Sequence, residues 1–94
     1  MYVADCQPTW LIRNNTQSAG GTLIVEPIPA ADCLNRCAVT ATCVAVDLVT
    51  SCSPPQCWMH YHPHNLQYRY HGPNITQYEL LTRCITIVPP VSGK

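Results

Sequence analysis

The stretch ADCLNRCAVTATCVAVDLVTSCSPPQC, residues 31–57, holds five of the chain's seven cysteines, and its reading sets the fold. Cys33 and Cys37 are four residues apart among Ala30, Ala31, Leu34, Arg36 and Ala38, so in a helix both sulfurs leave on one face. Pro29 just ahead and Asp32 in the first turn suit a helix start, which predicts a helix over Ala30 to Thr40. After Cys43 the period changes. Val44, Val46 and Leu48 alternate with Ala45, Asp47 and Val49, the pattern of a strand over Cys43 to Val49 with at least one buried face. Ser53-Pro54-Pro55 then makes a tight connection to Cys57.

Upstream, Thr9 to Ile12 is a short apolar run stopped by the polar stretch Arg13 to Ser18. Gly20-Gly21 makes a turn, and Thr22 to Val25 is a β-branched strand ended by Pro27 and Pro29. Downstream, Cys57 to Tyr61 and Leu66 to Tyr70 read as a hairpin around His62-Pro63-His64-Asn65. Tyr78 to Val88 is the last strand-like run, and Pro89 to Lys94 reads as a linker or tail. One helix beside several strands is an α+β architecture, with a single domain over residues 1–88 and a tail over 89–94.

At 94 residues the interior is thin, and seven cysteines point to bridges that supplement it in an oxidising compartment, secreted or on the extracellular face of the cell. Five basic residues balance five acidic ones, which argues against nucleic acid and against a polybasic membrane-surface segment. No apolar run approaches the ~20 residues a membrane helix needs, so no membrane insertion is expected in this segment. Met1 to Cys6 lacks the basic and apolar regions of a signal peptide, so the chain reads as mature or excised. Sequons at Asn14-Asn15-Thr16 and Asn74-Ile75-Thr76 make Asn14 and Asn74 candidate carriers of N-linked glycans, with Asn74 on a surface turn after Gly72-Pro73.

The spacing Cys33-x3-Cys37-x5-Cys43, then Cys52-x4-Cys57, resembles the MANSC (seven-cysteine) domain, and its first part resembles the helix-and-loop signature of PAN/apple modules. The likeness runs from Cys6 through Gly20-Gly21-Thr22 and Val25-Glu26 to the closing stretches Asn65 to Tyr70 and Tyr78 to Thr82. Ala38 and Tyr68 stand where that family often carries cysteine, and Cys84 lies beyond its usual pattern. The resemblance implies a small disulfide-rich PAN/apple-like fold, one helix packed on an antiparallel sheet, in an extracellular protein that binds partners and is not an enzyme. With apple-type pairing, Cys37 bridges Cys43, closing a small loop from helix to strand, and Cys6 bridges Cys84. Cys33, one helical turn earlier, reaches the sheet through Cys57 or Cys52. The set adopted is Cys37–Cys43, Cys33–Cys57 and Cys6–Cys84, with Cys52 as the odd thiol; had the residues lost at Ala38 and Tyr68 been partners, Cys84 would be left over instead. Each bridge would contribute ~2–4 kcal/mol.

Cys57, His60, His62, His64 and His71 form the one cluster of metal-ligand types. Pro63 breaks its alternation, no Cys-x2-Cys accompanies it, and Cys57 reads as a disulfide partner, so neither metal nor cofactor is expected. No nucleophile elbow, phosphate-binding glycine loop or paired carboxylate is present, so no enzymatic activity is expected. Trp58, Tyr61, Tyr68, Arg69 and Tyr70 are the candidate partner-binding residues, being types that anchor interfaces, although alternate members of such a run also fill cores. The leading expectation is a non-catalytic recognition module for a protein partner or for another part of its parent chain. The alternatives are a self-associating fibre or matrix subunit and a carbohydrate-binding module.

Overall fold

The fold is built around the Val44-to-Val49 alternation, which the computed structural model, describing residues 7–83, turns into the central strand of a sheet. In chain order the elements are β1 (Thr9–Ser18), β2 (Thr22–Ile24), α1 (Ala30–Val39), β3 (Ala45–Val49), β4 (Gln56–His60), a 3-10 turn (Pro63–Gln67) and β5 (Arg69–Thr82). The five strands run β1-β5-β3-β4-β2 with every pairing antiparallel. The molecule is therefore a small α+β fold, one helix on an antiparallel sheet, with two disulfides among the described residues. The expected Cys6–Cys84 bridge, the end of the strand towards Val88 and the tail over 89–94 lie outside the described residues.

Directly paired residues share a face, so the register sorts the sheet into two sides. Val46 and Leu48 stand with Met59, Cys57, Tyr78 and Thr76 on the helix side. There Cys33, Cys37, Cys43, Val46, Leu48, Cys57 and Met59 make the core, with Trp10, Ile24, Leu34, Tyr61 and Tyr78 packed around it. Trp10 meets Tyr78 edge to face, ring centroids 6.2 Å apart. Cys33 bridges Cys57 on β4, and Cys37 bridges Cys43 at the entry to β3. The i, i+4 spacing on α1 aims both sulfurs at the sheet. Arg83 finishes the helix, its guanidinium donating to the carbonyls of Cys37, Ala38, Thr40 and Cys43 at 2.6–3.2 Å. These are the orphan acceptors of a helix end and the turn after it, met by a cation where the helix dipole favours one.

Three expectations are corrected. Thr9 to Ile12 is not a short strand stopped by polar residues: β1 runs on to Ser18, because Arg13 pairs with Glu79 on one face of the strand and Asn14 stays exposed on the other. Cys57–Tyr61 and Leu66–Tyr70 do not form a hairpin. β4 pairs with β3 and β2, Pro63 starts a 3-10 turn, and the chain re-enters the sheet as β5 beside β1 and β3. Leu66 is consequently buried under that turn, away from Tyr68 and Tyr70. Finally, Gly72-Pro73-Asn74 is an excursion within β5, not a turn between elements.

Candidate functional site

β1 and β2 are joined by only three residues, Ala19 to Gly21, yet stand at opposite edges of the sheet. The chain manages this by bending the β1/β5 ribbon over the face opposite α1. The bend is where Asn14↔Thr76 gives way to Thr16↔His71, with Asn15 on one strand set against Gly72 to Ile75 on the other. Asn15 and Asn74 take the left-handed backbone there, φ 54° and 62°, a conformation asparagine tolerates better than most residues. The Asn15 side-chain oxygen accepts from the Asn74 amide at 3.3 Å. Both sequons lie at this bend, with Asn14 and Asn74 exposed.

Beyond the bend the ribbon closes over a polar core. Asp47, the charged member of the β3 alternation, is buried on this face, and its Oδ2 accepts from the Ser18 amide at 3.0 Å and stands 2.9 Å from His60 Nε2. Its Oδ1 accepts from Gln77 Nε2 at 2.9 Å, and the same amide donates to Ser18 Oγ at 3.0 Å. Gln77 Oε1 in turn accepts from Arg69 Nε at 3.1 Å, and Glu79 Oε1 accepts from both Arg69 and Arg13. His60 is fully buried, and its Nδ1 stands 3.1 Å from Asn65 Nδ2. The pairing that leaves each atom complementary has Asn65 donating to Nδ1 and Nε2–H donating to Asp47. Both Asp47 oxygens, both His60 ring nitrogens and both ends of the Gln77 carboxamide have partners, the condition under which a buried network holds one arrangement in place.

The ribbon does not seal the face. Between its return segment and the ends of β3 and β4 lies a cavity of about 300 Å³. Gln17, Gln56, Trp58, Asp47, Val49 and Ile75 are among the residues that line it. The Trp58 indole N–H donates to Gln56 Oε1 at 3.3 Å.

The five candidate partner-binding residues are thereby divided. Trp58 lines the cavity. Tyr61 is half-buried against the helix-side core, its hydroxyl 3.8 Å from Met59 Sδ, and contributes packing. Arg69 is held inward by Gln77 and Glu79. Tyr68 and Tyr70, which flank it, are left 66% and 55% exposed. Sequence reasoning missed Asp47, His60, Asn65 and Gln77 as a unit. The available signal was a lone carboxylate in an otherwise apolar central strand, which must find donors when buried.

Cys52 is a free, half-buried thiol in the β3–β4 connection. His62 and His64 are exposed neighbours with ring centroids 5.7 Å apart, separate from the buried His60. Among the described residues no three His, Cys, Asp or Glu side chains stand together as metal ligands. Among the described residues no helix is long and apolar enough to cross a membrane. On the helix side Arg36 donates to Glu26 at 2.9 and 3.4 Å, which holds the Glu26 carboxyl below its ordinary range and raises Arg36. No family model, curated protein or solved structure matches the chain.

Proposed function

We propose that this chain is a non-catalytic recognition module of a secreted or cell-surface glycoprotein, using the ribbon face to bind a protein partner or a neighbouring part of its parent chain. The observation that carries the reading is the Tyr68–Tyr70 pair. Two large aromatics are held in solvent, while Arg69 between them is tied inward to Gln77 and Glu79. Aromatic side chains with few rotatable bonds, presented on a stiff support, are the groups from which interface anchors are made. The cysteine spacing, with its resemblance to MANSC and PAN/apple domains, supports an extracellular setting, the finer PAN/apple-like description of the fold, and glycans on Asn14 and Asn74. The test is binding of a fluorescent tetramer of the chain to a panel of cells. Staining should saturate, and the double variant Tyr68→Ser, Tyr70→Ser should abolish it without lowering the Tm. Staining that survives the double variant removes the ribbon face from the reading.

A second reading is self-association, favoured by a separate observation. β1 is an edge strand of ten residues with Leu11 and Ile12 41% and 55% exposed, and such an edge is a template for strand addition.

A further inference from the structure

Asp47 is the one buried carboxylate among the described residues, 4% exposed, and neither lysine nor arginine is among its partners. Both glutamates in the described residues have arginines, Glu26 with Arg36 and Glu79 with Arg13 and Arg69. Asp47 has amides and an imidazole instead, and it also lines the cavity under the ribbon. An anion bound there would meet that carboxylate in a poorly solvated setting, where like charges repel far more strongly than in water. A cation would meet attraction on the same terms.

The rest of the wall suits a cation on an apolar stem. Trp58 is the side chain whose ring face attracts an ammonium or guanidinium most strongly. The carboxamide oxygens of Gln17 and Gln56 can accept its hydrogens, and Val49 and Ile75 offer a surface for methylenes. At about 300 Å³ the space is at the lower end of ligand pockets, room for one side chain and not for a cofactor. We propose that this cavity takes a single alkylammonium or guanidinium group, as a lysine or arginine side chain of a protein partner supplies, with the head towards Asp47 and the stem along Trp58, Val49 and Ile75. The proposal rests on the recognition reading and deepens it, giving that partner a basic anchor residue.

The experiment titrates the 15N-labelled chain with Nα-acetyl-lysinamide, Nα-acetyl-argininamide, the uncharged isostere Nα-acetyl-norleucinamide, and glucose. The Trp58 indole N–H and the Ser18, Gly20 and Gly21 amides report binding. The two cationic probes should shift these signals saturably, and norleucinamide should bind at least about tenfold more weakly. Asp47→Asn should abolish the shifts. Because that change also touches the buried network, Gln17→Lys serves as the second variant: it sets an ammonium at the cavity wall and should exclude the free probes while leaving the remaining spectrum unchanged. Equal binding of norleucinamide, binding of glucose alone, no shift with any probe, or undiminished lysinamide binding in a folded Gln17→Lys chain would each overturn the proposal. Cell staining that persists unchanged in Asp47→Asn and Gln17→Lys would sink the basic anchor and leave the recognition reading standing. Probe binding with no cell staining would do the reverse.

Discussion

Gly20 shows how closely the ribbon sits on its support. Its φ is +96°, and a Cβ added there would lie 2.8 Å from Asn65 Nδ2, on a side chain already engaged with His60. Gly20→Ala therefore combines backbone strain with displacement of a hydrogen-bonded group, and should cost about 1–3 kcal/mol in urea unfolding. In an Asn65→Gly background the same change should cost less, since the steric part is gone and the backbone part remains. Gln77 makes the complementary case. Its amide joins Asp47 and Ser18 on one side to Arg69 on the other. Gln77→Leu keeps the volume and strands those donors and acceptors, so a loss of about 1–3 kcal/mol is expected, against less than about 0.5 for the exposed Gln67→Ala. A Gln77→Leu chain as stable as the parent would show that the network contributes nothing.

At the level of elements, the two bridges close loops of unequal length. The separations are 24 residues for Cys33–Cys57 and 6 for Cys37–Cys43, which chain-entropy arithmetic converts to about 3.5 and about 2.3 kcal/mol. Paired Cys→Ala replacement should thus cost about 1 kcal/mol more for the longer loop, read from the urea midpoints. Glu26 and Arg36 tie the segment after β2 to the helix, and the sign of their contribution follows from the lowered Glu26 carboxyl. It is present above the pKa of the unfolded chain and lost as pH falls through the lower folded value. The acid limb of the stability profile should flatten slightly in Glu26→Gln, with no difference between the chains at the most acidic point. The helix was readable because Ala30, Cys33, Leu34 and Cys37 repeat at helical spacing under a proline start, and β3 because its alternation is unbroken. β1 was readable only at Thr9 to Ile12 and the long second half of β5 only from Tyr78 on, since the polar residues of both strands face either solvent or a second, polar interior. Asp47 reads as a solvated residue until the ribbon that buries it is known, and that depends on contacts some thirty residues away in either direction, at Ser18 and Gln77.

For the molecule as a whole, the open question of state turns on β1. Only β5 pairs with it among the described residues, which leaves its outer edge of N–H and C=O groups unpaired, with Ile12 exposed beside it. Ile12 and Asn14 are two apart on a strand and therefore share a face, opposite Tyr78 and Thr76. A glycan on Asn14 would stand over the same edge that a second copy must approach, so glycosylation and the proposed self-association would compete for one surface. Chain made without glycans should accordingly associate with rising concentration in sedimentation velocity, and Ile12→Lys, which puts a charge on the edge, should return it to monomer. The glycosylated chain should stay monomeric over the same range, and Asn14→Gln should release it while Asn74→Gln has the smaller effect. An unglycosylated chain that remains monomeric throughout would eliminate the fibre reading. The ribbon face, with Tyr68 and Tyr70, would then be the surface left for partner binding.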